Sequence, residues 1–193
     1  MQTDLQQQLE QRTRINNFLM RAALPIGLYF IFEYMLTVWS AGNIFMGMLR
    51  LPFLLGTPIL LYISMRKLRD NVMGGTIGWF RAWLFGLQMM LFAALVEAAW
   101  IYLYNEFIAP ENLYEMQSAA IAQYEESAAM LAQSSQMQSV LRPFNEAVEA
   151  LKEAPVPTAI EAAVQMVSND LFIGILLMIP ISLLIQRKTN TTE

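Results

Sequence analysis

Hydrophobic positions in this chain fall in long unbroken blocks rather than in stripes, and polar segments separate the blocks. Three blocks, Phe18–Trp39, Ile44–Ser64 and Trp79–Tyr104, are each about long enough as helices to cross a ~30 Å hydrocarbon core. A fourth apolar run, Leu171–Ile185, is short by itself. It gains length from an amphipathic lead-in, Ala159–Val167, so a helix there can project beyond the bilayer. Gly27, Gly47, Gly56 and Gly86 interrupt the first three blocks. Glycine is tolerated in membrane helices, where it permits close packing. A membrane barrel would instead alternate over ~10-residue segments, and "LFGLQMMLFAALVEAAWIYLY" does not alternate. The predicted fold class is all-α, with four transmembrane helices and an extramembrane helical insertion between the third and fourth.

The polar segments divide the chain further. Residues 1–17 form a Gln-rich lead, expected as a frayed or surface-lying helix, and residues 18–104 hold the first three spans. A short turn around Ser40–Asn43 makes the first two spans antiparallel. Pro52 and Pro58, with Gly47 and Gly56, predict a kinked second span. Arg66, Lys67 and Arg69 are expected in a loop, Gly74-Gly75 in a turn, and Thr76 at the cap of the third helix. Gly78, Ala82 and Gly86 give that helix a small-residue face, and Met90, Ala94 and Glu97 lie near its continuation. Residues 105–169 form the outer insertion. Leu113, Met116, Tyr124 and Leu131 mark an amphipathic helix over roughly Glu111–Met137, with the apolar stripe packed away from water. Pro143 should end or break the pattern, leaving a short helix over Asn145–Lys152 before the stiff "APVP" at Ala154–Pro157. Residues 170–193 supply the fourth span, kinked by Pro180, and a polar tail.

Charge adds an orientation. Arg12, Arg14, Arg21, Arg66, Lys67, Arg69, Arg81, Arg187 and Lys188 all fall on one side of a four-span arrangement. Basic residues stay cytoplasmic, so both termini are expected inside. The segment from Asn105 to Asp170 then faces out, with ten acids against Arg142 and Lys152. Trp39, Trp100, Tyr102 and Tyr104 suit the outer interface, Trp79 and Trp83 the inner one. A cleaved signal peptide is disfavoured, because the first apolar block is long, contains Glu33 and lacks a small-x-small cleavage site.

Composition agrees with a membrane protein: 56% of residues are hydrophobic and the mean hydropathy is +0.39, against about 45–50% apolar for a soluble domain. The net charge of −4 argues against nucleic acid as a partner. There is no cysteine and no histidine, which removes disulfides, thiol chemistry, the usual general base and the commonest metal ligand. No G-x-S-x-G and no phosphate-binding loop occurs. Asp70 and Asp170 do not suggest a pair of facing intramembrane aspartates. No catalytic, cofactor-binding or metal-binding residue is therefore expected, and no cofactor.

The candidate chemistry is a charge cluster. Glu33, Arg50 and Glu97 lie in three different apolar blocks, each roughly seven residues from the outer side, or ~10 Å at 1.5 Å per residue. Asp170 is expected close above them, at the mouth of the fourth helix. A charge at that depth costs several kcal/mol unless paired or hydrated. Three arrangements remain open: a structural clamp in which Arg50 bridges the carboxylates, a site for a proton, cation or small polar ligand, or no cluster, with Arg50 reaching outward.

The order of features also resembles a known family. The loop "MRKLRDNVMGG", the helix start "TIGWFRAWLFG", the helix end "IYLYNEFIAPENLYE", the long acidic segment and the final helix ending in Arg-Lys are similar to a bacterial membrane family catalogued as domain of unknown function 4199. The resemblance spans Leu19–Lys188 and is most specific over Arg66–Glu115. It implies a four-helix inner-membrane protein and brings no reaction, cofactor or catalytic residue. The expected function is that of a non-enzymatic structural or interaction protein in the bacterial inner membrane. Its partners would be the lipid bilayer and a second copy or another membrane protein. The alternative is a small transporter or channel subunit using the charge cluster.

Overall fold

The computed structural model describes residues 2–40, 52–53, 55–132 and 138–187. Among these, the chain forms helices α1 (Gln2–Ser40), α2 (Gly56–Asn71), α3 (Trp79–Leu103), α4 (Asn112–Ala132), α5 (Gln138–Glu153) and α6 (Ala159–Ile185). A wide π-turn, Tyr104–Ile108, closes α3. Three helical stretches, Gln6–Ser40, Trp79–Ile108 and Ala159–Ile185, are long and apolar enough to cross a membrane. Residues 44–51 and 54 of the predicted second block lie outside the described residues, as does the turn predicted after Ser40, and the block's remainder from Gly56 enters α2.

Helix α3 is the centre of the fold, packed on one side by α6 and on the other by α1. Its inward line runs Ala82, Gly86, Met89, Met90, Ala93, Ala94, Glu97 and Ile101, as the small-residue pattern predicts, although Gly78 is exposed. Against it, α1 buries Leu19, Ala23, Ile26 and Phe30, and α6 buries Met178, Ile181 and Ile185. These positions recur every three or four residues, the spacing of one helix face. The opposite faces are also apolar: Leu24, Leu28, Phe80, Leu95, Phe172 and Leu184 are all exposed. A helix that is apolar all round is stable only within protein or lipid, so these three helices point to a membrane protein.

Close approach depends on glycine. A Cβ on Gly27 would lie 2.8 Å from Val96 Cβ and 2.9 Å from the Ala93 carbonyl oxygen, so α1 and α3 meet almost backbone to backbone. Between α3 and α6 the fit is reciprocal, with the Met178 side chain over Gly86 and that of Met90 over Gly174.

Several local expectations change. Residues 2–17 are continuous with the first span in one 39-residue helix, and its Ile15 is buried in the core. Arg66, Lys67 and Arg69 sit on the last turns of α2 rather than in a loop. The turn itself comes later, at Gly74 (φ 68°) and Gly75 (φ 84°), a left-handed conformation costly for any residue with a Cβ. Thr76 does not cap α3. The helix starts one residue after Gly78, with no side-chain cap, and the adjacent Ile77 carbonyl instead accepts from the Arg187 amide at 3.1 Å. Pro143 lies within α5 rather than ending a helix. It forgoes one backbone bond, to the carbonyl four residues earlier, near the start of a helix whose later turns form normally.

The α4–α5 pair packs mainly on itself. Gln117 Nε2 donates to the Leu151 and Ala154 carbonyls at 3.2 and 3.0 Å, and Lys152 pairs with Glu125 at 2.9 Å. The predicted stripe is only partly covered. Leu113 and Met116 are half-buried, Tyr124 is 47% exposed, and the Leu131 side chain lies outside the described residues. Helix direction explains the miss: α4 leaves the bundle after its first turns, so its later apolar positions find only α5.

Candidate functional site

Glu97 reaches the bundle interior because α3 carries it on the same face as Met90 and Ala94. It is 4% exposed. Asp170, two turns into α6 beyond Ala163 and half-buried, meets it from across the α3–α6 interface, with the two carboxyls adjacent. Glu97 Oε2 and Asp170 Oδ2 are both buried without a hydrogen-bond partner among the described residues.

Glu33 approaches from α1, close enough to act electrostatically on Glu97. Its side chain is half-buried, and its carbonyl accepts from Thr37 Oγ1 at 3.0 Å. The structure thus brings Glu33, Glu97 and Asp170 together from three helices. Arg50, the expected bridge, lies outside the described residues. Asp170 is a direct partner of Glu97 rather than a group standing above it. Among the described residues no group of His, Cys, Asp and Glu could hold a metal ion.

Toward the Ser40 end of α1 lies a polar knot that the sequence did not disclose. Tyr34, Asn105 and Asn112 are all buried. Asn105 Nδ2 donates to the Ile101 carbonyl at 2.7 Å and to Tyr34 Oη at 2.8 Å. Asn112 Nδ2 donates to Asn105 Oδ1 at 2.8 Å and Tyr34 Oη at 3.1 Å. The Tyr34 hydroxyl donates to Asn105 Oδ1 at 3.3 Å. Every donor and acceptor of the Asn105 amide is therefore used. The π-turn carries Asn105 inward and ends α3, with the Ala109 amide bonded to the Tyr104 carbonyl at 2.8 Å. Wide turns of this kind occur often at functional positions. The available signal was two asparagines flanking "EFIAPE" at the end of an apolar block.

The other end of the bundle is basic. Arg69 is 5% exposed. It forks onto Asp70 at 2.7 and 3.1 Å and donates to the Ile185 carbonyl at 3.0 Å, pinning the last turn of α6, where a cation is favourable. Hydrogen bonding to Arg69, with the charges of Arg69, Arg66 and Arg187, holds the Asp70 carboxyl below its ordinary value despite some desolvation.

A protein family described as "Protein of unknown function (DUF4199)" matches residues 19–187. The chain belongs to this family. The match takes in α1 from Leu19, the charge-bearing faces of α3 and α6, and the polar knot. No curated protein and no solved structure matches the chain. DUF4199 membership therefore adds kinship and the extent of the shared region, and the chemistry rests on the residues above.

Proposed function

We propose that this is a non-enzymatic membrane-spanning protein of the bacterial inner membrane whose α4–α5 segment contacts a second copy or another membrane protein. In this proposal four helices span the bilayer, the fourth being built from residues 44–64. Both termini are cytoplasmic, and the α4–α5 segment lies outside. The observation that carries it is the α4–α5 pair itself. It holds together by its own contacts, is tied to the bundle by the Asn105–Asn112 knot, and leaves Tyr114 and Met130 64% and 62% exposed. These side chains leave apolar surface on the self-packed unit open to a partner. The gathering of Arg12, Arg14, Arg69, Arg81 and Arg187 at the opposite end supports the orientation.

Two measurements test this. In the cysteine-free chain, Ser127→Cys should react with an impermeant thiol reagent in intact cells while Thr191→Cys should not; the reverse pattern overturns the orientation. Tyr114→Cys should form a crosslinked dimer or a discrete adduct with a membrane protein, and a purely monomeric product in native membranes overturns the interaction role.

The Glu97–Asp170 contact favours a second role, proton or cation transfer through the bundle, since ionisable groups within spans commonly mark such pathways. Four spans are few for a carrier, so this role would take an oligomer. Liposomes carrying the protein and a pH-sensitive dye decide it: a proton flux lost in Glu97→Gln supports transfer, and no flux above empty liposomes excludes it.

A further inference from the structure

Where α1 passes the start of α3, a cleft of about 490 Å³ opens between them. Arg12 on α1 and Arg81 on α3 line it from opposite sides, with Gln8 and Asn16 beside them. Among the described residues no acidic side chain lines this cleft; Glu10 opens instead into a separate recess with Arg14. Neither Arg12 nor Arg81 has a hydrogen bond or ion pair with any described residue. Two like charges directed into one cleft repel each other, and an anion between them removes that repulsion. The planar guanidinium fork suits phosphate oxygens.

The rest of the cleft is not built for a free anion. Leu84 and Phe85 form part of its wall, and Leu84 is 44% exposed. One helical turn away, the Trp79, Phe80 and Trp83 rings pack at centroid distances of 6.0 Å. Such rings sit at the headgroup level of a bilayer. Gln88 Nε2 donates to Asn16 Oδ1 at 3.3 Å and joins the two helices just above. A polar pocket with two cations and a hydrocarbon wall running toward the apolar span fits an amphiphile.

We propose that this cleft binds the headgroup of an anionic glycerophospholipid, with its phosphate between Arg12 and Arg81 and an acyl chain laid along Leu84 toward the apolar middle of α3. This goes beyond the interaction role and stands apart from the α4–α5 segment. It rests only on the chain being embedded in a membrane.

The test uses full-length protein extracted in mild detergent and examined by native mass spectrometry. The protein is titrated with phosphatidylglycerol or with phosphatidylcholine of the same chain composition, and thermal unfolding is recorded in parallel. Wild type should retain phosphatidylglycerol on the order of tenfold better than phosphatidylcholine. Arg12→Gln and Arg81→Gln should each abolish that preference. Lys67→Gln removes the same charge from an exposed position away from the cleft and should keep it. Equal retention of the two lipids overturns the proposal. So does an equal loss in Lys67→Gln, which would mean bulk charge. Displacement of the lipid by millimolar inorganic phosphate, with the same arginine dependence, would make the site one for a free anion and overturn the lipid. If one arginine variant fails to fold, its counterpart on the other helix gives the same readout.

Discussion

Met178 on α6 lies directly over Gly86 on α3, so that any side chain at position 86 would occupy the space its thioether fills. At Gly27 the neighbours are a backbone carbonyl and a β-branched Cβ. The two glycines look equivalent in sequence, but their surroundings differ in how far they can yield.

Gly86→Ala should therefore be nearly neutral in detergent unfolding. Met178 can swing aside, and alanine is favoured over glycine in a helix by about 1 kcal/mol. Gly27→Ala should lose ~1–3 kcal/mol, as overpacking against rigid atoms does. Thermal unfolding of the two variants checks this, and a larger loss for Gly86→Ala would contradict the packing described.

Tyr34→Phe should destabilise the protein by about 1–3 kcal/mol, because both asparagine amides lose a buried partner. Adding Asn112→Ala should cost less than the sum of the two single changes, since the groups share one network. A double-mutant cycle with additive terms would show that the knot does not act as a unit.

Asp170→Asn puts an amide donor opposite the buried Glu97 carboxyl and should unfold close to wild type. Asp170→Ala leaves the Glu97 carboxyl buried and unmet, and should cost about 1–3 kcal/mol. Combining it with Glu97→Leu should recover most of the loss, and failure of that rescue would place the cost elsewhere than in the carboxyl contact.

Thr158 and Glu161 cap α6 reciprocally. The Glu161 amide bonds to Thr158 Oγ1 at 3.3 Å, and the Thr158 amide to Glu161 Oε2 at 2.8 Å. Thr158→Ala should cost about 1 kcal/mol and speed amide exchange over the first turn of α6. Unchanged exchange there would show the cap to be idle.

The Arg69–Asp70 pair predicts an acid dependence. The folded Asp70 carboxyl titrates below its unfolded value of 3.8. Its contribution is therefore fully present above that value and is lost as pH falls through the lower folded value. Below pH ~4, wild type should lose stability faster than Asp70→Asn, measured by unfolding across that range. Parallel profiles would rule the pair out as the cause.

The three long apolar helices, the inward face of α3 and the start of α6 after Thr158 were legible in sequence, because each depends on spacing within one segment. Glu97 could be assigned to the bundle interior for the same reason. Asp170 could be placed near it but not as its direct partner, since one-segment periodicity does not fix how far α3 and α6 slide or rotate against each other. That register is set by Gly86 beneath Met178 and Gly174 beneath Met90, and it is what brings Asp170 to Glu97.

The Tyr34–Asn105–Asn112 knot, the burial of Arg69 and the Arg12–Arg81 cleft have the same origin. Polar residues at the ends of apolar blocks read as exposed interface residues, and only the meeting of two helices removes them from water or leaves space between them. The sequence by itself determined which long apolar segments are helical and must avoid water, since hydrophobic burial and backbone hydrogen bonding act along a single helix. The tertiary structure alone decided which polar groups face one another, because that depends on contacts between residues up to 116 positions apart, as in the Arg69 bond to Ile185.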